Sequence, residues 1–138
     1  MKDSVSLSHR SEMTFDVVVN GHTIVLDASR DSGGTNQGPR PKSLLLAALA
    51  GCTAMDVVSL LNKMRVSFDD FRVSVEGNIT DEHPKHYENM HVTYTIKGRD
   101  VDREKVIKAI TMSQDKYCGV SYTLKQGLKI TWELIMKD

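Results

Sequence analysis

Apolar side chains along the chain follow two patterns: alternation with polar ones, and one long continuous run. In residues 5–8 and 13–17 the alternation has a period of two, which is typical of half-buried strands. Asn20-Gly21 separates the second of these runs from a further apolar segment, and both residues tolerate the positive φ that a type I′ hairpin turn requires. We expect the first 28 residues to form a small antiparallel sheet.

The continuous run is PKSLLLAALAGCTAMDVVSLLNKM, residues Pro41–Met64. Between residues 44 and 61 only four side chains are polar or reactive: Cys52, Thr53, Asp56 and Ser59. A helix here has no broad water-facing side, so it must be buried. Its length approaches the roughly 20 residues of a membrane span, but it contains Asp56 and is flanked by lysines. We therefore predict a central core helix with Pro41 in its first turn.

Residues 29–41, SRDSGGTNQGPRP, are dense in glycine, proline and small polar side chains. This composition predicts a loop. A glycine-rich loop before a helix is also compatible with phosphate binding, but Pro41-Lys42-Ser43 lacks the spacing of a P-loop. We favour a plain loop that leads into the central helix.

The remainder of the chain is predicted to contain five elements. They are a strand from Val73 to about Thr80, a strand at His91–Lys97, a helix capped by Asp102 and ending near Gln114, a short helix at Gly119–Lys125 and a strand at Lys129–Met136. Strands and helices occur in separate runs along the sequence. This order indicates one α+β domain, residues 1–138, with antiparallel strands. Because so small a sheet leaves an all-apolar helix uncovered, we expect a homodimer in which two central helices pack together.

Charge and composition exclude several classes of partner. Lysine plus arginine and aspartate plus glutamate both number 18, so the net charge is zero. The chain has no excess of basic residues that would indicate nucleic-acid binding. It also has no polybasic run that would indicate binding to a membrane surface. The opening MKDSVSLSHRSEM lacks the apolar core of a secretion signal. We therefore expect a cytoplasmic protein whose cysteines are thiols at rest and form at most a transient disulfide.

The two cysteines are the candidate reactive groups. Cys52 lies inside the apolar helix, where burial raises the pKa of a thiol and makes it inert unless a cation is brought to it. Cys118 lies where a helix begins, and the backbone dipole there lowers the pKa of a thiol. Local electrostatics alone therefore favour Cys118 as the nucleophile and leave Cys52 a structural role.

Other polar residues have ordinary interpretations. Asp56 within the central helix either pairs with an arginine or lysine across a dimer or stays protonated, since an unpaired buried charge is costly. His83, His86 and His91 surround a proline-containing turn, and no cysteine or carboxylate completes a metal-binding spacing. We expect surface histidines and no metal site.

Two motifs together resemble a known family. GPRPKSLLLAALAGCTAMDVV, residues 38–58, is followed by a predicted strand pair and then by KYCGVSYTL, residues 116–124. This combination resembles the OsmC/Ohr family, in particular its OsmC-like branch, over nearly the whole chain. The resemblance implies an intertwined homodimer, with antiparallel strands wrapped around buried central helices. It also implies a thiol peroxidase that reduces organic hydroperoxides at the subunit interface, with a role in the oxidative stress response.

The resemblance also implies roles for single residues. Cys52 is similar to the peroxidatic cysteine and Cys118 to the resolving one, with no cofactor and with an external dithiol or lipoyl-type reductant. A sulfenic acid on the first would condense with the second to a disulfide, which the reductant would reopen. An apolar setting suits an organic hydroperoxide, and four side chains are candidates to contact its alkyl part: Leu49, Met55, Met13 and Phe15.

The chain departs from the family at the start of the central helix. Family members carry a glutamate there, paired with an arginine that lowers the cysteine pKa, whereas this chain has Lys42 and Ser43. The activating arginine is not fixed by a motif, and the candidates are Arg10, Arg30 and Arg40. Two alternatives to the peroxidase therefore stay open: a non-enzymatic protein that binds an apolar ligand, and a thiol redox sensor.

Overall fold

The computed structural model describes all residues, 1–138. The elements in chain order are β1 (Ser6–Ser11), β2 (Thr14–Val19), β3 (His22–Leu26), a 3₁₀ turn (Arg30–Ser32), α1 (Ser43–Lys63), β4 (Asp70–Ile79), β5 (Tyr87–Lys97), α2 (Arg103–Met112), a π turn (Ser113–Tyr117), α3 (Gly119–Lys125) and β6 (Lys129–Lys137). Two compact units divide the chain, Met1–Leu45 and Leu46–Asp138. The predicted α+β class is confirmed, with two three-stranded sheets and three α-helices.

The first unit contains the antiparallel sheet β1-β2-β3, as predicted. Asn20 and Gly21 have φ values of 50° and 79°, so both central residues of the hairpin turn are in the left-handed region. Val19 and His22 form the last pair beside the turn. The type of turn follows from the Asn-Gly pair, which tolerates this backbone better than other dipeptides.

A buried carboxylate organises the glycine-rich loop of the first unit. Asp27 is 2% exposed and accepts hydrogen bonds from four donors: Thr14 Oγ1, Thr35 Oγ1, and the backbone N–H groups of Ala28 and Gln37. Burial alone would raise its pKa, but these hydrogen bonds together hold the pKa well below its ordinary range. The loop predicted at residues 29–41 is therefore folded around a negative charge.

Thr14 explains a departure from the predicted pattern of β2. The alternation placed the apolar residue Met13 on the inner face, yet Met13 is 46% exposed and Thr14 is fully buried. The Thr14 hydroxyl donates a hydrogen bond of 2.9 Å to Asp27, which compensates for its burial. A polar pair thus replaces an apolar contact at the start of this strand.

The predicted long helix is present as α1, which begins at Ser43, two residues after Pro41. Its buried side chains form one stripe at intervals of four residues: Leu49, Thr53, Val57 and Leu61. Leu45 and Met55 are 45% and 76% exposed. By length and composition α1 could cross a membrane, a test that the core helix of a soluble protein also passes. Within one chain α1 is therefore covered on one side only, whereas the sequence predicted burial all round.

The second sheet corrects the prediction of antiparallel strands. β4 and β5 pair antiparallel, but β6 pairs parallel to β5, with Asn89 opposite Lys129. A parallel pair requires a crossover of a dozen residues or more, and α2, the π turn and α3 provide it. β5 also begins at Tyr87, earlier than the predicted His91, so the turn between β4 and β5 is shorter than expected.

The start of α2 and the bounds of α3 match the predictions for the crossover. The Asp102 side chain accepts hydrogen bonds from the N–H groups of Glu104 and Lys105 and caps α2 as predicted. The helix predicted to reach Gln114 ends instead at Met112, and a π turn follows. The N–H of Cys118 closes this turn with a hydrogen bond of 2.7 Å to the carbonyl of Ser113. α3 spans Gly119–Lys125 as predicted.

The core of the second unit lies between the inner side of the sheet and the helices. Its fully buried apolar side chains are Leu49, Val57 and Leu61 of α1, Met90, Val92, Tyr94 and Ile96 of β5, and Val106, Ala109 and Ile110 of α2. Alternate residues of β5 supply four of them, which fits the period of a strand. β5 is therefore the central strand against which the helices pack.

Candidate functional site

Two cysteines and one carboxylate from separate elements lie together in the second unit. The Sγ atoms of Cys52 and Cys118 and a carboxylate oxygen of Asp56 are all within 4.8 Å of one another. α1 carries Cys52 and Asp56 one turn apart on the same face, and Cys118 is the N-cap of α3. Both cysteines are free thiols. The structure thus brings together the two candidate residues that stand far apart in the sequence.

Cys118 is the more deeply buried of the two sulfurs, with 3% exposure, whereas Cys52 is half-buried. Burial, the largest cause, together with the neighbouring Cys52 and Asp56 raises the pKa of Cys118 from 9.0 to about 11, although a hydrogen bond of 3.3 Å from the Ser121 N–H lowers it. The prediction that the helix dipole lowers the pKa of Cys118 is therefore wrong. Burial outweighs the dipole at this position.

A chain of buried hydroxyl groups begins at Asp56. Ser113 Oγ donates a hydrogen bond of 2.9 Å to Asp56 Oδ2 and lies 2.8 Å from Thr53 Oγ1. Thr53 Oγ1 in turn lies 2.6 Å from Tyr94 OH. Thr53 is the residue that follows Cys52 in α1, so the backbone beside this cysteine is tied to the π turn and to β5.

The chain continues from Tyr94 to Cys118. Gln114 Nε2 donates to Tyr94 OH at 2.7 Å, and Ser121 Oγ donates to Gln114 Oε1 at 3.0 Å. The Ser121 N–H contacts Cys118 Sγ as described above. No buried side-chain nitrogen or oxygen lacks a partner. Hydrogen bonds therefore connect Asp56 with Cys118 through the interior.

Sequence patterns did not identify five members of this network: Thr53, Tyr94, Ser113, Gln114 and Ser121. Ser113 and Gln114 follow an apolar helical repeat, where polar side chains usually mark the exposed end of a helix. They are buried because the π turn rotates them inward, and π turns are frequent at functional sites. The only sequence signal for the network was the pair of adjacent polar residues, Ser113 and Gln114, shortly before Tyr117-Cys118.

The structure gives Asp56 no cationic partner within the chain, since its side chain bonds to Ser113. The ion pairs are Arg10–Asp16, Arg72–Asp70 and His91–Glu133. Of the three arginines considered as activators of Cys52, Arg10 forms that ion pair and Arg40 donates to Gly38 O and Asn36 Oδ1, all within the first unit. Pairing of Asp56 across a dimer, and activation of Cys52 by any arginine, stay predictions.

Two cavities are relevant to ligands. In the first unit, a cavity of about 500 Å³ is lined by apolar side chains that include Met13 and Phe15, together with Arg40. In the second unit, a cavity of about 300 Å³ is lined by Asp56, Ser59, Leu60, Lys63 and Tyr117. The second cavity provides a route from solvent to the carboxylate beside the two sulfurs.

The remaining candidates lie elsewhere. Leu49 is fully buried in the core and Met55 is 76% exposed, so they differ in their access to a ligand. Of the three histidines, His91 contacts Thr131 and Glu133, and no cluster of potential metal ligands includes a histidine.

Comparisons with known proteins identify relatives over most of the chain. The family model described as OsmC-like protein matches residues 34–133. Protein YhfA of Escherichia coli strain K12 is 33% identical over 112 residues, which are 81% of each chain.

Solved structures have the same fold. A hypothetical protein from Aquifex aeolicus VF5 is 29% identical, with a TM-score of 0.83, over 100% of this chain and 99% of its own. An organic hydroperoxide resistance protein OsmC from Legionella pneumophila, also described as a predicted redox protein, is 14% identical with a TM-score of 0.71. The match covers 98% of this chain and 97% of the Legionella chain, and at this identity it shows the fold alone.

Proposed function

Because this chain belongs to the OsmC-like family, we propose that it is a thiol peroxidase that reduces organic hydroperoxides as part of an oxidative stress response. One observation carries the proposal: Cys52 and Cys118, from α1 and from the start of α3, have their sulfur atoms within 4.8 Å. A disulfide needs sulfurs about 2.05 Å apart, so the two sulfurs have to approach by at most about 2.8 Å for the bond to form. The Legionella protein described as an organic hydroperoxide resistance protein has the same fold and supports the choice of substrate.

The reaction proceeds in three balanced steps. The Cys52 thiolate attacks the distal oxygen of ROOH, the O–O bond breaks, and the alkoxide takes a proton to leave as ROH, with Cys52 now a sulfenic acid. Cys118 attacks that sulfur, and water leaves as the disulfide forms. An external dithiol, lipoyl-type or similar, then exchanges with the disulfide and restores both thiols, so no bound cofactor is required.

The two sulfurs differ in the way these roles require. Cys52 is half-buried and accessible to a peroxide, whereas Cys118 is buried behind it with a raised pKa. Cys118 therefore stays a protonated thiol until the sulfenic acid is present beside it. The Asp56 carboxylate lies within 4.8 Å of both sulfurs and accepts the proton that Cys118 releases.

The uncovered side of α1 supports a homodimer as the active form. Leu45 and Met55 are exposed on a helix whose apolar surface is buried along one stripe only. Contiguous exposed apolar surface on a helix is typical of an interaction site. Packing of two copies through α1 would cover it, place Cys52 near the interface, and give the arginine candidates of a partner a way to reach the thiol. The cytoplasm supplies the reducing conditions that the cycle requires.

The first unit favours a second candidate function. Its cavity of about 500 Å³ has mainly apolar walls and contains Arg40 and Asp27, an arrangement that suits an amphiphile with a polar end. A chain that bound such a ligand without catalysis would retain bound amphiphile after purification. A thiol sensor would instead show peroxide-dependent oxidation of Cys52 without turnover by a dithiol.

Consumption of cumene hydroperoxide with dihydrolipoamide as reductant tests the proposal. Wild type and the control Asp81→Asn, an exposed change in the turn before β5, should turn over, and Cys52→Ser should not. Cys118→Ser should accumulate a sulfenic acid that dimedone traps on Cys52. Turnover that survives Cys52→Ser, or wild-type protein that consumes no hydroperoxide, would reject the peroxidase. Native mass spectrometry of the same preparations detects a retained amphiphile.

A further inference from the structure

The group formed by Cys52, Asp56 and Cys118 is the only cluster of three potential metal ligands in the chain, and all three donor atoms lie within 4.8 Å of one another. Zinc binds thiolate sulfur at about 2.3 Å and carboxylate oxygen at about 2.1 Å, so two such ligands of a tetrahedral ion stand about 3.6–3.8 Å apart. The three donors are therefore at most about 1.2 Å farther apart than the ligands of such an ion.

The surroundings of the cluster are those of a metal site. The Ser113 hydroxyl donates to Asp56 Oδ2 and the Ser121 N–H donates to Cys118 Sγ, so two of the three ligands are already oriented by a second layer of hydrogen bonds. No lysine or arginine forms an ion pair with Asp56. A divalent cation between the three donors would attract the carboxylate and each sulfur that loses its proton on binding.

We propose that the reduced chain binds a thiophilic divalent cation, of which Zn²⁺ fits best, through Cys52 Sγ, Cys118 Sγ and the Asp56 carboxylate. Two thiolates select against Mg²⁺ and Ca²⁺, which prefer oxygen ligands. The cavity of about 300 Å³ beside Asp56 gives the ion access and room for a fourth, exogenous ligand. Binding releases the thiol protons, so affinity increases with pH.

Metal binding does not require the proposed peroxidase activity, but it uses the same two sulfurs. A disulfide between Cys52 and Cys118 removes two of the three ligands. The metal-bound form and the oxidised form are therefore mutually exclusive, and bound Zn²⁺ protects the thiols from a hydroperoxide until it is removed.

Titration of the reduced, full-length chain with Co²⁺ under anaerobic conditions tests the site. We expect a thiolate-to-cobalt charge-transfer band that saturates at one ion per chain and disappears when Zn²⁺ is added. Cys52→Ser should lose about half of the band intensity or all binding, and wild type blocked with methyl methanethiosulfonate should show no band. Asp56→Asn keeps the shape of the side chain and should weaken Co²⁺ binding at least tenfold, whereas Asp81→Asn, an exposed change in the turn before β5, should leave it unchanged.

Three results would overturn the proposal: no charge-transfer band at millimolar Co²⁺, a band that persists in the blocked protein, or equal affinity in Asp56→Asn and wild type. Circular dichroism of each variant verifies that it is folded. The outcome is independent of the peroxidase assay. A chain that binds Co²⁺ but consumes no hydroperoxide rejects only the proposed activity. A chain that consumes hydroperoxide but does not bind Co²⁺ rejects only the metal site.

Discussion

Thr53 and Tyr94 are 41 positions apart, and their hydroxyl oxygens lie 2.6 Å from each other in the interior. Thr53 follows Cys52 in α1, and Tyr94 lies at the middle of β5 with its ring fully buried. The bond joins the helix that carries one sulfur to the sheet, and Gln114 joins the same tyrosine to the turn that leads to the other sulfur. The Tyr94 hydroxyl thus connects the elements that carry the two cysteines without a hydrogen bond to either sulfur.

Tyr94→Phe should destabilise the chain by about 1–3 kcal/mol, because it leaves the buried Thr53 hydroxyl and Gln114 amide each short of a partner. Urea unfolding measures the loss. Tyr122→Phe is the matched control, since Tyr122 is 72% exposed and its hydroxyl makes no hydrogen bond to the protein. The two variants should differ by at least about 1 kcal/mol, and equal stabilities would contradict the role of the network.

The raised pKa of Cys118 predicts a loss of stability in alkali. Between pH 9.0 and about 11 the folded chain keeps the Cys118 proton, whereas the unfolded chain releases it. The folded state then binds more protons, so its stability is full below the unfolded pKa and decreases as pH rises through this window. Urea unfolding of the reduced protein at several pH values should show the decrease in wild type and a weaker one in Cys118→Ser. An equal slope in both would contradict the assignment.

The lowered pKa of Asp27 predicts the opposite dependence in acid. Its folded pKa lies below the ordinary value of 3.8, so the stabilisation is full above that value and is lost as pH falls towards the folded pKa. Asp27→Asn should lower the melting temperature at pH 7 and flatten its decline in acid. Asp31→Asn, an exposed change in the same loop, should alter neither. Calorimetry from pH 7 to pH 3 compares them.

The exposed side of α1 predicts that a charge at Met55 separates the subunits. Met55→Glu should shift the mass in solution from twice the chain mass of 15.4 kDa to that of a single chain, because the carboxylate would be desolvated at the interface. Ile79→Glu, at an apolar residue of β4 that is 47% exposed, should remain dimeric. Light scattering after gel filtration gives both masses, and a wild-type monomer at micromolar concentration would reject the dimer.

Local chemistry explains which elements could be predicted from the sequence. Asn20-Gly21 between two apolar runs is specific for a tight hairpin turn, and Asp102 before an apolar helical repeat is specific for an N-cap. Both predictions were confirmed. The long apolar run predicted α1 within two residues at its N-terminus. These features depend on neighbours within a few positions along the chain.

Features that depend on distant residues were missed. The parallel pairing of β6 with β5 follows from the path of the crossover. The alternation of apolar and polar residues within Lys129–Lys137 does not indicate the direction of pairing. The acidity of Cys118 was misjudged because the helix start is visible in the sequence while its burial is not. Resemblance of two motifs paired Cys52 with Cys118. Tyr94 of β5 and Gln114 of the π turn, which connect Thr53 with Ser121, lie outside both motifs.

The π turn at Ser113–Tyr117 also acts as a length constraint on evolution and engineering. Each residue of an α-helix advances about 100° around the axis, so deletion of one residue here would restore ordinary winding and re-aim everything downstream. Gln114 would point outward and Cys118 would face away from α1. Substitutions in this segment keep its length and can be tested one by one. A single-codon insertion or deletion would instead separate the sulfurs without altering either cysteine.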